Sequence, residues 1–283
     1  MEVIETIAQM RELRRAMRLT PETTLALVPT MGALHKGHGR LIQRALTLAT
    51  NVVVSSFVNP LQFNDSRDLA SYPRTPEQDQ DICKKLGVHY YFMPKPEEIY
   101  PPGFLTTVNV SHLSKKLEGA SRPGHFRGVC TVVTKLFNIV QPDFAVFGHK
   151  DAQQLVLIRH MVRDLAMDVE IVAVPTERDK NGLALSSRNV LLDDDGRRKA
   201  LCLNRALRRV HFLVKKQGIT HVGELLQAVR SAINSAGDGV ELDYAHIVSR
   251  MTLEELNHVE RGNTLVLIAA RVGGVRLIDS TRL

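Results

Sequence analysis

Short apolar runs alternate with amphipathic stretches over most of the chain. The runs predict strands at 25–28, 51–57, 90–93, 144–147 and 169–174. Between them, apolar residues recur at helical spacing and predict helices at 7–19, 38–49, 77–86, 129–140 and 151–165. Parallel strands that are buried on both faces are unbroken apolar runs, and helices connect them. The pattern therefore predicts an α/β fold, a Rossmann-like doubly wound parallel sheet.

The pattern changes near residue 176, where polar residues replace the apolar runs. Beyond this point we predict helices at 195–216 and 222–232, and then strands at 242–248, 264–270 and 275–278. That order is typical of a small α+β domain. We therefore expect a Rossmann-like domain over 1–176, a hinge over 177–185 and a smaller C-terminal α+β domain over 186–283.

The turn after the first predicted strand carries the clearest candidate chemistry. Pro29 is expected to end the strand, and Gly32 and Gly37 allow the backbone to approach a ligand closely. His35 and His38 stand three residues apart at the start of the next helix, so they face the same side. A helix N-terminus attracts anions, and the pattern therefore predicts a phosphate site. A glycine-rich turn with incidental histidines is the alternative.

Other polar motifs also follow predicted strands. Asn59–Gln62 come after the second strand, and Gly148–Asp151 follow the strand at 144–147. In doubly wound sheets, ligands bind beyond the carboxyl ends of the strands, at the point where the strand order reverses. We therefore expect these motifs and the histidine pair to converge on one crevice.

The formal net charge of +7 raises the alternative of a nucleic-acid partner. Two groups of arginines recur at helical spacing: Arg11, Arg14, Arg15, Arg18, Arg205, Arg208 and Arg209. That spacing is typical of solvated helix faces, and the chain has few of the aromatic residues that stack on bases. We therefore expect small anionic substrates and no nucleic-acid partner.

The cysteines and the N-terminus give expectations about location. Cys83, Cys130 and Cys202 lie far apart with no metal-ligand spacing, which favours buried, reduced thiols. The first residues do not resemble a secretory leader, and no apolar run has the length needed to span a bilayer. We therefore expect a cytoplasmic protein with no membrane partner.

Six motifs stand in order along the chain, at 31–38, 57–63, 72–75, 117–128, 150–154 and 185–189. Together they closely resemble the motifs of the pantoate–β-alanine ligases, a family of the HxGH-containing nucleotidyltransferase superfamily. The resemblance covers nearly the whole chain. A single HxGH also occurs in class I aminoacyl-tRNA synthetases and small nucleotidyltransferases, so the ordered set is far more specific than the histidine pair alone.

The resemblance implies a reaction. Members of this family join pantoate to β-alanine with ATP, through a pantoyl-adenylate intermediate, and release pantothenate, AMP and pyrophosphate. ATP is thus expected as a substrate and Mg²⁺ as a cofactor, in a homodimer formed through the larger domain. Two other classes stay open: a small nucleotidyltransferase that transfers AMP to a phosphorylated acceptor, and a nucleic-acid-binding module.

The resemblance also implies the residues of the site. His38 is expected as the proton donor, with His35 and Lys150 as the other catalytic side chains. The residues expected to contact ATP are Met31, Gly32, Ala33, Leu34, His35, Lys36, Gly37, His38, Gly148, His149, Lys150, Asp151, Glu177, Leu185, Ser186, Ser187 and Arg188. Those expected to bind pantoate and β-alanine are Gln62, Gln154 and, in a supporting role, Asn59. No side chain is expected to ligate a metal directly.

Five residues raise separate questions. Asp79 is a candidate magnesium-linked carboxylate, but is expected to lie on a helix surface. His125 and Arg127 stand in a Gly/Pro-rich loop that is a lid, a dimer surface or a substrate contact. Two positions depart from the family pattern: His149 replaces the glutamate of the motif GEKD, and Glu177 replaces a small or apolar residue. If the glutamate charge helps to place magnesium or Lys150, histidine weakens ATP binding; if the glutamate mainly shapes the loop through its backbone, histidine is tolerated.

Overall fold

The computed structural model describes residues 1–20 and 22–283. This part of the chain divides into two compact units. Unit 1 comprises Met1–Gly148 and Leu157–Val174, and unit 2 comprises His149–Val156 and Pro175–Leu283. Each unit has its own sheet and its own apolar core. The domain limits given above stay a prediction.

Unit 1 is built on a six-stranded sheet in which every strand pair is parallel. Its strands are β1 (Glu2–Ile4), β2 (Leu25–Thr30), β3 (Asn51–Ser56), β4 (Tyr90–Phe92), β5 (Phe144–Gly148) and β6 (Glu170–Val174). They lie in the order β1-β4-β3-β2-β5-β6, so the strand order reverses between β2 and β5. The predicted Rossmann-like, doubly wound sheet is confirmed.

Helices connect the strands of this sheet and flank it. They are α1 (Ile7–Arg18), α2 (Lys36–Leu46), α3 (Ser66–Ser71), α4 (Pro76–Leu86), α5 (Pro96–Ile99), α6 (Glu118–Ser121), α7 (His125–Val140) and α8 (Ala152–Asp164). Ile42 of α2 and Cys83 of α4 pack in one buried cluster with Val28 of β2 and Val54 of β3. Unbroken apolar runs form the central strands because both faces of the sheet are buried.

The expectation that Pro29 ends the strand is wrong, because β2 continues to Thr30. The amide of Phe57 donates to the carbonyl of Thr30, so the backbone groups of Thr30 face β3. Successive residues of a strand direct their N–H and C=O groups to opposite sides, so the nitrogen of Pro29 faces β5. Pairing of β2 with β5 ends at Leu27. The missing N–H of Pro29 therefore leaves no strand hydrogen bond unmade.

Arg14 corrects the expectation of a solvated arginine face on α1. It lies with Met10 and Met17 on the buried face of the helix. Its guanidinium is 3.4 Å from the carboxylate of Asp143, which also accepts the amide of Leu25 at 2.6 Å. Helical spacing alone could not identify this partner, because Asp143 comes from a distant part of the chain.

Unit 2 is the predicted smaller α+β domain. Its elements are α9 (Asp194–Gln217), α10 (Val222–Asn234), β7 (Val240–Ser249), β8 (Thr264–Val272) and β9 (Val275–Arg282). The strands form an antiparallel sheet in the order β7-β8-β9. Asp193 caps α9 by accepting the amide of Gly196, and Gly218 ends the helix with a φ of 68°. Apolar side chains of both helices pack against the sheet in one core.

The predicted hinge at 177–185 forms a hydrogen-bonded turn within unit 2. The amide of Leu185 donates to the carbonyl of Glu177 at 2.9 Å. The guanidinium of Arg178 makes two hydrogen bonds to the buried carboxylate of Asp279 on β9, at 2.6 and 2.9 Å. The turn is therefore fastened to the sheet of its own unit, and its role as a hinge stays a prediction.

The cysteine expectation is confirmed. Cys83, Cys130 and Cys202 are free and buried. Burial raises the pKa of the Cys83 and Cys130 thiols to about 12, so both stay protonated at neutral pH. Within the residues that the structure describes, no helix is both long enough and apolar enough to cross a membrane.

Candidate active site

The turn after β2 has an unusual backbone. Gly32 and Ala33 have positive φ angles of 78° and 50°, and α2 then begins at Lys36. A Cβ at Gly32 would lie 2.9 Å from the Oγ of Ser56 and 3.0 Å from a carboxylate oxygen of Asp79. Both the angle and the close contacts therefore require glycine at this position.

Asp79 on α4 holds this turn in place. Its carboxylate accepts hydrogen bonds from the amides of Ala33 at 2.9 Å and Leu34 at 2.7 Å, and from the hydroxyl of Thr75 at 3.1 Å. Asp79 is only 1% exposed, so the expectation of a helix-surface residue is wrong. A buried carboxylate is stable here because hydrogen bonds from backbone amides replace those of water. The carboxylate acts as an anchor for the turn.

His35 and His38 cap the N-terminus of α2 reciprocally. The Nδ1 of His35 accepts the amide of Gly37 at 3.1 Å, and the Nδ1 of His38 accepts the amide of His35 at 3.3 Å. The two ring centroids are 4.1 Å apart. Because each Nδ1 accepts a backbone N–H, each neutral ring carries its proton on Nε2. The reciprocal cap fixes both ring orientations at the N-terminus of α2, where the helix dipole favours an anion.

Asn59 and Gln62 form a buried amide pair after β3. The Nδ2 of Asn59 donates to the Oε1 of Gln62 and to the carbonyl of Gly128, both at 3.0 Å. The Oδ1 of Asn59 accepts the amide of Leu61 at 3.3 Å. The Nε2 of Gln62 lies 2.9 Å from the Sδ of Met31, in the turn after β2. The amide of Gln62 thus presents its N–H groups on the side of Met31.

The start of α7 supports the backbone of Gln62. The buried ring of His125 has its Nδ1 2.8 Å from the Gln62 carbonyl, and Arg122 donates to the same oxygen at 3.2 Å. The expected loop at His125 and Arg127 is wrong, because both lie in the first turn of α7, after Gly124 with a φ of 84°. The Gly/Pro motif starts a helix here; of these two side chains, His125 is buried and Arg127 is exposed.

In unit 2, β9 holds the turn His149–Asp151. The hydroxyl of Ser280 donates to the carbonyls of His149 at 2.9 Å and Lys150 at 3.3 Å. The guanidinium of Arg282 is 3.0 Å from the Nδ1 of His149, which accepts because arginine can only donate. The Lys150 side chain is 19% exposed, and its Nζ lies 3.8 Å from the Asp151 carboxylate. The backbone of this turn is therefore held independently of the side chain at position 149.

The serine-bearing segment of unit 2 is a capped helical turn. Ser186 precedes a short 3₁₀ helix, Ser187–Leu191, and its hydroxyl accepts the amide of Arg188 at 3.3 Å. Arg197 donates to the Asn189 carbonyl at 2.8 Å and so ties this turn to α9. The segment has a defined shape, with the side chains of Ser186, Ser187 and Arg188 partly exposed.

Predicted residues come together within each unit. In unit 1, Met31 links the turn of the histidine pair to Gln62. In unit 2, Gln154 lies in the first turn of α8, one helical turn after Lys150, and Gly148 ends β5 in unit 1. The convergence of the two sets on one crevice stays a prediction.

The described residues do not form a metal site of their own. They contain no group of three or more histidine, cysteine, aspartate or glutamate side chains that could hold a metal ion. The one sequence candidate, Asp79, uses its oxygens for the amides of Ala33 and Leu34. Its geometry is that of a backbone anchor, and no metal ligand is assigned.

Comparison with known families identifies the family of this chain. The family model for pantoate-beta-alanine ligase matches residues 2–282. The chain belongs to the pantoate–β-alanine ligase family. The family resemblance drawn from the six motifs is confirmed, and the protein is an enzyme that joins pantoate to β-alanine.

The ligase is similar to curated relatives over its whole length. It is 49% identical over 280 residues to the pantothenate synthetase of Koribacter versatilis, with 99% of this chain and 95% of the relative covered. It is 46% identical over 281 residues to that of Pseudothermotoga lettingae, with 99% and 98% covered.

Solved structures of the family resemble the ligase closely. Pantothenate synthetase from Thermus thermophilus is 44% identical and superimposes with a TM-score of 0.92, with 100% of this chain and 99% of that chain covered. The pantoate–β-alanine ligase from Francisella tularensis, complexed with β-γ ATP and β-alanine, is 34% identical with a TM-score of 0.77 and covers 100% and 97%.

Sequence reasoning missed the side chains that hydrogen-bond to the turns at 31–38 and 149–151 and hold them in place. Ser280 and Arg282 lie at the far end of the chain, and no pattern connects them with 149–151. A signal did exist for Asp79, because Asp79 and Cys83 are four residues apart and share the buried face of α4.

Proposed function

We propose that the protein activates pantoate with ATP before β-alanine attacks. A carboxylate oxygen of pantoate attacks the α-phosphorus of ATP, the bond from phosphorus to the bridging oxygen breaks, and pyrophosphate leaves. The amine of β-alanine then attacks the acyl carbon of pantoyl adenylate and loses a proton, the acyl C–O bond breaks, and AMP leaves. Pantothenate is the third product.

The observation that carries this proposal is the reciprocal cap of His35 and His38. Pantoate and the triphosphate are both anions, so their approach requires donors that are already in place. The two Nε2–H groups at the N-terminus of α2 suit phosphate oxygens, and the cap sets their ring orientation. We assign His38 as the proton donor, because imidazole readily exists in either protonation state near neutral pH.

The remaining contacts to ATP are proposed from both units. The turn 31–38 is anchored by Asp79, which supports the proposal that it approaches the nucleotide with little rearrangement. Lys150 is assigned to the phosphates, and Ser186, Ser187 and Arg188 to the departing pyrophosphate. Gly148, His149, Asp151, Glu177 and Leu185 complete the proposed contacts to ATP.

Pantoate is assigned to the amides of Gln62 and Gln154. The hydroxyls and the carboxylate of pantoate can accept the N–H groups that Gln62 presents. The Sδ of Met31 is a weak acceptor for the same nitrogen, so pantoate oxygens would be better partners. Asn59 supports Gln62 by direct donation.

Magnesium is proposed to arrive with ATP as part of the substrate. The described residues form no cluster that would hold it, whereas triphosphate oxygens and water are its preferred ligands. We further propose a cytoplasmic homodimer in which the C-terminal domain closes over the adenylate as a lid and shields it from water.

Isotope exchange tests the proposed order of steps. Purified protein with MgATP and labelled pyrophosphate is expected to form labelled ATP only when pantoate is present. This exchange is expected not to require β-alanine. Addition of β-alanine is expected to give pantothenate and AMP in equal amounts. Exchange that needs β-alanine, or formation of ADP instead of AMP, would contradict the adenylate.

A further inference from the structure

Tyr100 follows α5 and has a fixed ring. Its ring centroid is 6.0 Å from that of Phe57 and 5.0 Å from that of Phe104. The Nζ of Lys135 lies 5.9 Å from the centre of the Tyr100 ring. These contacts hold the ring, so its hydroxyl has a defined position.

The hydroxyl of Tyr100 donates to the Oδ1 of Asn59 at 2.8 Å. The direction of the bond is fixed, because an amide oxygen can only accept. Burial raises the pKa of the Tyr100 phenol above its ordinary value. The phenol therefore keeps its proton and remains a donor at neutral pH.

Backbone groups determine which way the Asn59 amide faces. Its Nδ2 side faces the carbonyl of Gly128, and its Oδ1 side faces the amide of Leu61. The bond to Leu61 is long at 3.3 Å, whereas the bond from Tyr100 is 2.8 Å. Tyr100 thus provides the shorter of the two hydrogen bonds that the Asn59 oxygen accepts.

The orientation of Asn59 in turn sets that of Gln62. The Nδ2 of Asn59 needs an acceptor at 3.0 Å, so the Oε1 of Gln62 faces it and the Nε2 of Gln62 faces away. If the Asn59 amide turned over, its oxygen would face the Oε1 of Gln62, and two acceptors would meet. Gln62 would then turn over as well and present oxygen to the substrate.

We infer that Tyr100 is a positioning residue for the substrate-binding amide of Gln62, which it aligns through Asn59. The inference rests on the proposed function, in which Gln62 binds pantoate. It assigns to Tyr100 an effect on pantoate binding and none on ATP binding. Nothing in the motif pattern marks Tyr100, because its partner lies 41 residues away in the chain.

The test replaces Tyr100 by phenylalanine, which keeps the ring contacts and removes one oxygen. Pantoate-dependent exchange of pyrophosphate into ATP is measured while pantoate and ATP are varied in turn. We expect the KM for pantoate to rise about three- to tenfold, the cost of one neutral hydrogen bond. The KM for ATP is expected to stay within about twofold. Tyr90→Phe, on β4 and outside this network, is the matched control.

A combined variant tests the route through Asn59. If Tyr100 acts only through Asn59, adding Tyr100→Phe to Asn59→Ala raises the KM for pantoate no further. Independent effects that multiply, an unchanged KM for pantoate in Tyr100→Phe, or equal rises for pantoate and ATP would each overturn the inference. If the unmodified enzyme shows normal pantoate-dependent exchange, any of these results contradicts only the role of Tyr100. If the unmodified enzyme shows no pantoate-dependent exchange, both the proposed function and this inference are contradicted.

Discussion

The turns after β2 and β5 are held in place by different means. In unit 1, the buried carboxylate of Asp79 engages the amides of Ala33 and Leu34 from the adjacent helix. In unit 2, the hydroxyl of Ser280 engages the carbonyls of His149 and Lys150 from the last strand. Both side chains are buried, but the first turn is fixed by a charged carboxylate and the second by a neutral hydroxyl.

This difference matches the chemistry proposed for the two turns. The histidine pair must meet a developing charge in a set orientation, which favours a rigid support. A lysine ammonium is a point charge on a flexible stem, so Lys150 can follow phosphates that move during reaction. We therefore expect loss of the Asp79 carboxylate to lower activity far more than loss of the Ser280 hydroxyl.

Asp79→Asn is expected to have the largest effect. The new amide places an N–H donor against the amides of Ala33 and Leu34, which lose a charged acceptor. We expect kcat/KM for ATP to fall at least about 100-fold, and stability to fall by about 1–3 kcal/mol. Exchange kinetics measure the fall in kcat/KM, and thermal unfolding measures the loss of stability. Glu77→Gln, at an exposed position of α4, is the matched control, and near-normal ATP kinetics in Asp79→Asn would refute the anchor.

Ser280→Ala is expected to have a moderate effect confined to ATP. Loss of the hydroxyl leaves the carbonyls of His149 and Lys150 without this donor. The KM for ATP is expected to rise about three- to tenfold, with pantoate KM unchanged. Ser235→Ala, at the end of α10, serves as the control. A loss as large as that of Asp79→Asn would remove the contrast between the two turns.

His149→Glu is expected to have a small effect in the opposite direction. Glutamate would pair with the Arg282 guanidinium by charge, but such pairs contribute at most about 1 kcal/mol near the surface. We expect the KM for ATP to fall by less than about fivefold. In an Arg282→Gln background the same change is expected to have no effect. A fall of more than about tenfold would show that charge, rather than the backbone, controls this turn.

The sheet edge that carries Ser280 is expected to weaken slightly at low pH. His211 of α9 lies 2.7 Å from the hydroxyl of Thr281, and burial, with a smaller contribution from Lys215, lowers its pKa. A histidine with a lowered folded pKa stabilises the protein above the unfolded value of about 6.5 and loses that contribution as pH falls below it.

Thermal unfolding of His211→Gln measures this effect. Between about pH 7.5 and pH 5.5, the Tm of the parent protein is expected to fall more than that of the variant, by a few degrees at most. His258→Gln, at an exposed position, is expected to follow the parent protein. Identical pH dependence in His211→Gln and the parent protein would show that His211 does not contribute.

The sheet was predictable because its strands are continuous apolar runs, and the histidine pair because its spacing is local. The supports were not predictable, since they depend on contacts between distant segments. Asp79 is charged yet buried, and it stands 45 residues from Leu34. Three-residue β1 is too short to show a pattern. The hydrogen bond from Ser280 on β9 reaches the carbonyl of His149, which lies 131 residues earlier.

His38→Gln tests the central claim most directly. Glutamine at this helix position can still accept the amide of His35, so the cap is kept while the imidazole is lost. With pantoate, MgATP and labelled pyrophosphate, we expect exchange to fall at least about 100-fold while the Tm stays within a few degrees. Exchange within a few-fold of the parent protein would contradict the assignment of His38 and the account of the histidine pair.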